Sequence, residues 1–377
     1  MSLFLWIPLL VPAACAAAAA TRRQAPWTRP LGLASALVIL VTGLGLLGSI
    51  TAAGGEALTA AGDLFRVDAL AAYLLMTIGA VATVALWADL SVPAEPDGWF
   101  TALVCAFLAA MTLAVLADNL GVLWVAIEAT TITTAFLVGY RSGRRSLEAA
   151  WKYVVLGSVG VAIAFLGIVV LYAATRSAGH PTLSWVELVR LAPQLDPAVT
   201  RLGIALATLG FATKAGLAPM HSWLPDAHSQ APAPVSGLMS GVLLSVALYA
   251  VLRLRTISDL ALGPGFMRGL LLVLGVLSLL VAATLTLTQR DYKRLLAYSS
   301  IEHMGLMAVG VAIGGTLATT AVLVHILGHG LVKSAMFVQS GRILRAEGSS
   351  KVADVVGLSA RRPDLAGPLL LGTAALL

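Results

Sequence analysis

Eleven apolar runs, each long enough to cross a bilayer, follow one another along the chain and leave most of its charges in the segments between them. A membrane-spanning helix needs about 20 mostly apolar residues. Because the runs are continuously apolar and do not alternate with a period of two, they predict helices, not barrel strands. We therefore expect an all-α fold, a polytopic membrane helix bundle that forms one transmembrane domain over 1–377. The expected spans are 2–20, 31–52, 67–88, 99–117, 120–140, 151–175, 202–225, 233–252, 268–289, 296–313 and 316–340.

The composition excludes most classes of water-soluble protein. Of the 377 residues, 59% are apolar and 11% are charged, whereas a soluble domain has about 45–50% apolar and about 25% charged residues. The net charge of +6 does not indicate nucleic-acid binding, because the basic residues form no continuous patch. Cys15 and Cys105 lie far apart in apolar runs, and no glycine-rich phosphate loop is present. We expect the chain to carry no cofactor and no metal of its own.

The distribution of lysine and arginine predicts how the bundle is oriented. The odd-numbered loops carry about twice as many basic residues as the even-numbered loops, and basic loops stay in the cytoplasm. The N-terminus is therefore expected outside, in a cell (inner) membrane. Arg22 and Arg23 follow the first apolar run and do not precede it, so this run predicts a retained helix and not a cleaved signal peptide.

A twelfth apolar run begins near Leu365 and reaches Leu377, the last residue. A helix of about 13 residues spans roughly 20 Å of a hydrocarbon core that is about 30 Å thick. The terminal carboxylate would then lie in hydrocarbon, where a charged group is costly. The sequence therefore predicts a fragment whose twelfth helix continues beyond Leu377.

Lys214 lies at the middle of the seventh run. A charged lysine at the bilayer centre costs about 2.5–3.5 kcal/mol on insertion scales, and a central position is far from the interface to which the side chain could extend. Such residues are usually functional, and a structural role is the alternative. Pro219 predicts that the helix is interrupted just after Lys214, which would leave free carbonyl groups near the ammonium. A broken helix at this depth has to line an enclosed cavity.

Glu128 is the one carboxylate that falls well inside a predicted span, the fifth. One interpretation is a neutral carboxyl group that is hydrogen-bonded to Thr131, one helical turn further on. The favoured interpretation follows from its depth, which is similar to that of Lys214. The two residues would be counter-ions that titrate together as part of a proton relay.

His325, His329 and Lys333 recur every four residues and share one face of the eleventh run. Three interpretations remain open, namely a hydrated proton path, core histidines and a metal site. The proton path is favoured, because no glutamate follows the first histidine as in zinc proteases and the lysine would repel a cation. Glu302 and His303, near the cytoplasmic start of the tenth run, are weaker candidates.

Several stretches carry a specific pattern. The most specific is KAGLAPMHSWLPDAHSQAPAPVS at 214–236, and RLLAYSSIEHMG at 294–305 accompanies it. With the histidine–lysine face of the eleventh run, they resemble the proton-conducting antiporter-like membrane subunits of respiratory complex I and its relatives. ADNLGVLWVAIEATT at 117–131 and EAAWKY at 148–153 resemble most the F components of hydrogenase-4 complexes. The resemblance covers about 70–360.

The resemblance implies a proton-translocating subunit without redox centres, in an antiporter-like inverted-repeat fold with a discontinuous helix seven. It matches the family's glutamate of helix five to Glu128 and its lysine of helix seven to Lys214. It matches the family's connection on helix eleven to His325, His329 and Lys333. Electron transfer in partner subunits would drive the proton movement.

Two departures from the family pattern are visible. Many relatives have a lysine or histidine in the middle of helix eight, where this chain has Ser245. Relatives also continue through a twelfth helix whose lysine or glutamate opens the exit half-channel, and this chain stops inside that helix. Helices within 1–117 are expected to be peripheral, and 118–360 is expected to form the proton-conducting core.

The leading hypothesis is a proton-translocating membrane subunit of an energy-converting hydrogenase, a formate-hydrogenlyase-type complex or a complex I-like oxidoreductase. Its partners would be other membrane subunits and a peripheral redox arm, so the chain would be a non-redox part of an enzyme. The main alternative is a subunit of a multisubunit cation/proton antiporter. An anion-uptake membrane partner and a purely structural anchor are two further alternatives.

Overall fold

The computed structural model describes residues 2–62, 64–92, 94–141 and 143–376, and these residues form a bundle of long helices. Ten helical segments in this part are long and apolar enough to cross a membrane. The predicted all-α polytopic bundle is confirmed. The helices are α1 (Ser2–Thr21), α2 (Arg29–Ala52), α3 (Ala69–Leu90), α4 (Gly98–Leu116), α5 (Leu120–Val138), α6 (Arg144–Ser177), α7 (Trp185–Leu191), α8 (Pro197–Lys214), α9 (Trp223–Gln230), α10 (Ala233–Leu238), α11 (Leu244–Leu262), α12 (Pro264–Thr286), α13 (Tyr292–Ile313), α14 (Gly315–Glu347), α15 (Leu358–Arg361) and α16 (Pro363–Leu376).

The seventh predicted span is the one that is not a continuous helix. It is divided into α8 and α9, and the connector 215–222 lies between them. The eighth span consists of α10 and α11, which are joined by a π-helical turn at Met239–Leu243. The sequence predicts that the seventh membrane span is a discontinuous helix, and the division into α8 and α9 confirms this.

Several helices are longer than the apolar runs that predict them, so basic residues assigned to loops lie inside helices. Lys293 belongs to α13 and is 2% exposed, and Arg253 belongs to α11 and is 7% exposed, so the loop assignment of both is wrong. The charge of Arg253 is compensated, because its Nη1 and Nη2 donate to the two carboxylate oxygens of Asp68 at 2.5 and 2.8 Å. An apolar run marks the part of a helix that lies in hydrocarbon, and the helix itself can extend beyond it.

Close packing of α6 against α8 depends on glycines at their contact. A Cβ atom on Gly167 would lie 2.3 Å from the backbone nitrogen of Ala207, and one on Gly210 would lie 2.4 Å from that of Ala164. Small residues at a helix–helix contact let backbones approach each other closely in membranes. This contact holds the end of α8, with Lys214, beside α6.

Two smaller elements complete the described part of the chain. An antiparallel hairpin of β1 (Leu58–Ala60) and β2 (Phe65–Val67), which the sequence does not predict, connects α2 to α3. At the other end α16 packs against α14, where Gln339 Nε2 donates to the Leu365 carbonyl at 2.7 Å. That this helix continues past the last residue stays a prediction.

Candidate functional site

Glu128 is held on α5 by two hydroxyl groups. Ser158 Oγ on α6 donates to Oε1 at 2.8 Å, and Thr131 Oγ1, one turn further along α5, donates to Oε2 at 3.2 Å. The bond from Thr131 is the local contact that the first of the two interpretations of Glu128 includes. Glu128 is half-buried and lines an open groove of about 460 Å³ between α5 and α6. The carboxylate is therefore reachable from outside this bundle.

Lys214 is the last residue of α8 and is fully buried. Its Nζ donates to Thr131 Oγ1 at 2.8 Å and to the Tyr153 hydroxyl at 2.5 Å. Thr131 thus accepts from Lys214 and donates to Glu128, so the two ionisable residues share one network. The structure thus connects the two residues through Thr131, and their joint titration stays a prediction. The carboxyl end of α8 also favours a cation, because the helix dipole is negative there.

The helix break is formed by a glycine cap that precedes Pro219. The sequence places the break correctly just after Lys214 but attributes it to Pro219. Gly216 has a φ of +76°, and its N–H donates to the Thr213 carbonyl at 3.1 Å. The following N–H donates to the Ala212 carbonyl at 2.9 Å, which completes a Schellman cap. These carbonyl groups are therefore occupied, in contrast to the free carbonyls that the sequence predicts.

Replacing Gly216 with alanine is expected to disturb the break that positions Lys214. The left-handed conformation costs a non-glycine residue about 1–2 kcal/mol. The added Cβ would lie 2.4 Å from Leu224 Cδ1, and overpacking costs about 1–3 kcal/mol more. We expect Gly216→Ala to lower the thermal unfolding temperature of the purified protein more than Gly348→Ala does. Gly348 is a matched control, because it is left-handed at the end of α14 with a φ of +71° and nothing lies within 4 Å of a Cβ placed there. Equal losses would contradict the Leu224 contact.

A row of buried rings leads from this network to α14. The ring centroids lie 5.0 Å apart for Tyr153 and Trp223, 6.2 Å for Trp223 and His228, and 5.6 Å for His228 and Phe337. His228 is fully buried, and its Nε2 has no hydrogen-bond partner among the described residues. The sequence assigns no role to Tyr153 or His228, although both lie within the stretches that carry the family pattern. The sequence does not predict that these rings of α6, α9 and α14 lie side by side, because their contacts are formed only when the three helices pack together.

His325 and His329 of α14 meet His303 of α13. His303 Nδ1 lies 2.9 Å from His325 Nε2, and one nitrogen of each of the three rings lies within 4.8 Å of the others. His329 is 3% exposed, and neither of its ring nitrogens has a hydrogen-bond partner in the described part of the chain. The structure thus brings the two predicted histidines together and adds His303, the weaker candidate from the sequence.

Two buried lysines bind backbone carbonyl groups. Lys333, one turn beyond the histidines, is fully buried, and its Nζ donates to the Leu296 carbonyl at 3.0 Å. The Nζ of Lys293 donates to the carbonyls of Ser229 and Ala231 at 2.9 Å each, where α9 ends. The sequence does not identify Lys293 as a buried residue, because it precedes the tenth predicted span and is therefore expected at the membrane interface. A buried ammonium group needs such partners to offset the loss of water.

The eighth predicted span, which consists of α10 and α11, presents hydroxyl groups at the depth where relatives have an ionisable residue. Ser245 is fully buried, and its Oγ has no partner among the residues that the structure describes. Ser240, in the π-helical turn just before it, lies with its Oγ 2.7 Å from Ser300 Oγ on α13. The predicted departure at Ser245 therefore leaves a polar position there without a charge.

Every residue of the site belongs to 117–377, and this part of the chain matches the family described as NADH:quinone oxidoreductase/Mrp antiporter, TM. The chain belongs to this family. The family match confirms the resemblance that the sequence motifs indicate. It also confirms the prediction that the chain is a multi-pass membrane protein.

Named relatives are subunits of hydrogenase and NADH-quinone oxidoreductase. The chain is 41% identical over 276 residues to a hydrogenase-4 component F homolog of Methylacidiphilum infernorum, a match that covers 72% of this chain and 58% of that relative. It is 31% identical over 373 residues to NADH-quinone oxidoreductase subunit N of Desulforudis audaxviator, covering 95% of this chain and 72% of that one. It thus spans little more than half of the component F homolog.

One solved structure is similar over nearly the whole chain. It is that of the membrane-bound sulfane sulfur reductase, an archaeal respiratory membrane complex, with a TM-score of 0.88 and 26% identity. The match covers 98% of this chain and 77% of that chain. The fold is therefore that of a subunit in a respiratory membrane complex.

Proposed function

We propose that the chain is a proton-translocating membrane subunit of an energy-converting hydrogenase, a formate-hydrogenlyase-type complex or a complex I-like oxidoreductase. The observation that carries the proposal is the buried network in which Thr131 links Glu128 to Lys214. A fully buried lysine at the end of a broken helix is costly in a membrane, and such residues usually mark ion or proton paths. The names of the relatives support the type of complex.

In this proposal protons move along a relay of Glu128, Lys214, His325, His329 and Lys333. Glu128 takes up protons from the groove between α5 and α6. Neutral Lys214 receives a proton through Thr131 when both hydrogen bonds of this hydroxyl group are reversed, so that it accepts from protonated Glu128 and donates to Lys214. His228, buried between Trp223 and Phe337, supports a connection toward α14. Bound water would complete the path past the rings of Trp223 and Phe337, which cannot relay protons.

The remaining assignments follow from the same proposal. The helices within 1–117 form a peripheral part and 118–360 the conducting core, in a bacterial inner membrane with the N-terminus outside. A peripheral redox arm and further membrane subunits supply the driving force, because the chain carries no redox motif. Electron transfer in the arm would change the charge balance that Lys214 experiences.

A subunit of a multisubunit cation/proton antiporter is the second candidate function. The description of the matched family, which includes Mrp antiporters, is the observation that favours it. The two functions differ in their driving force, because an antiporter exchanges protons for sodium or potassium without electron transfer.

Affinity purification of the tagged chain from its native membrane tests the proposal. We expect a nickel–iron hydrogenase or a quinone-reducing arm to co-purify, and proton uptake by vesicles with the complex to require the electron donor but not sodium. Uptake that needs sodium and no electron donor would instead establish the antiporter. Co-purification of an anion transporter, or no effect of the chain on proton movement, would overturn both functions.

A further inference from the structure

The histidine cluster of α13 and α14 has a geometry that the proposed relay does not require. His303 comes from one helix, and His325 and His329 come from successive turns of the other, so three imidazole rings converge from two directions. One nitrogen of each ring lies within 4.8 Å of the other two. A proton path needs neighbouring groups in a chain, whereas these three nitrogens lie close enough to one another to share one ion.

The spacing of the three nitrogens is close to that of a tetrahedral metal site. In a zinc site with nitrogens about 2.0–2.1 Å from the ion, neighbouring ligand atoms lie about 3.4 Å apart. His303 Nδ1 and His325 Nε2 are 2.9 Å apart, at hydrogen-bonding distance, and the three nitrogens lie within 4.8 Å of one another. Changes of roughly 0.5–1.5 Å in these separations would bring them to this geometry and would replace the hydrogen bond between His303 and His325. Three histidines with a fourth position left open are also a known ligand set for Zn²⁺.

His329 provides the second observation. It is 3% exposed, and neither of its ring nitrogens has a partner among the described residues. A buried polar group without a partner is costly, and coordination of an ion is one way in which proteins satisfy such a group. Burial of an unpaired nitrogen at the centre of the cluster therefore favours a ligand at this point.

The surroundings provide an entry route and partial charge compensation. His303 and His325 line a partly open cavity of about 640 Å³, which leaves room for a water molecule as the fourth ligand. Glu302 lines the same cavity and contributes a carboxylate to it. The opposing charge is that of Lys333, whose Nζ is hydrogen-bonded to the Leu296 carbonyl.

We propose that His303, His325 and His329 bind a single divalent ion of the zinc type, and that the bound ion inhibits proton transfer. Imidazole nitrogens are ligands that Zn²⁺ and Co²⁺ prefer, in contrast to magnesium and calcium. An imidazole whose lone pair is coordinated cannot accept a proton, so the ion would interrupt any path through the cluster. The binding site stands on the geometry alone, and the inhibition rests on the proposed function.

Titration of the purified chain with Co²⁺ tests the site directly. The chain would carry a tag without histidine, and the visible absorption of tetrahedral Co²⁺ would report coordination. We expect this absorption at one ion per chain, its loss on adding Zn²⁺, and at least about tenfold weaker binding in His303→Gln, His325→Gln and His329→Gln. His180→Gln is the matched control, because His180 is exposed and distant in sequence from the cluster. Absent absorption, or absorption unchanged in the three variants, would overturn the site.

Proton uptake by the complete complex tests the inhibition separately. We expect Zn²⁺ to stop donor-driven uptake at concentrations that match its affinity for the purified chain, in the wild type and in His180→Gln alike. Uptake that persists with the site occupied would overturn the inhibition. A complex that moves no protons even without Zn²⁺, while Co²⁺ still binds, would instead overturn the proposed function.

Discussion

Replacing Lys214 with methionine is expected to abolish proton translocation in the complete complex while the complex still assembles. Methionine keeps most of the apolar volume of the lysine chain but cannot carry a proton. The ammonium group is fully buried and binds Thr131 and Tyr153, and no other lysine among the described residues donates to these two hydroxyl groups. Donor-driven acidification, measured in vesicles with a pH-sensitive dye, should fall to the background of uncoupled vesicles.

Lys351→Met is the control for this variant, because Lys351 is an exposed lysine in the segment between α14 and α15. It removes the same charge from the surface and should leave the acidification rate unchanged. Full acidification by an assembled Lys214→Met complex would exclude Lys214 from the relay. A structural role for Lys214 predicts loss of assembly in place of loss of coupling.

Removing the charge of Glu128 is expected to have the second largest effect. Glu128→Gln keeps the size of the side chain and one acceptor oxygen, for either Ser158 or Thr131, but removes the negative charge that compensates Lys214. Because Glu128 acts on Lys214 through Thr131, the loss in Glu128→Gln/Thr131→Val should be no larger than in Glu128→Gln alone. The coupling in such a double-mutant cycle should amount to about 0.5–3 kcal/mol in the acidification rate.

Thr131→Val tests the bridge itself. Valine has the shape of threonine without its hydroxyl group, so Thr131→Val should slow acidification as Glu128→Gln does. Thr133→Val is the matched control, because Thr133 Oγ1 binds only the carbonyls of Ala129 and Thr130 on its own helix. If Glu128→Gln and Thr131→Val lose activity additively, or if Thr131→Val and Thr133→Val behave alike, the bridged pair is wrong.

Much of the fold follows from the sequence by itself. The length and continuity of the apolar runs determine helical spans, because backbone polar groups in hydrocarbon have to be satisfied within each helix. The position of Lys214 in the seventh run and the nearby Gly216 and Pro219 also determine that this helix is broken there. Glu128, Lys214 and the histidines of α14 were identifiable because ionisable residues are rare and costly in such runs.

The contacts that make a site of these residues were decided by the tertiary structure. Thr131 and Tyr153 are ordinary polar residues in sequence, and they acquire a role only because glycines let α8 approach α6 and bring Lys214 to them. His303 and Lys293 were placed near the interface because distance along an apolar run measures depth only approximately. The apolar pattern of a segment predicts which part of a helix contacts lipid or other helices. It does not predict which polar groups of two helices face each other, because that depends on how residues far apart in the sequence pack together.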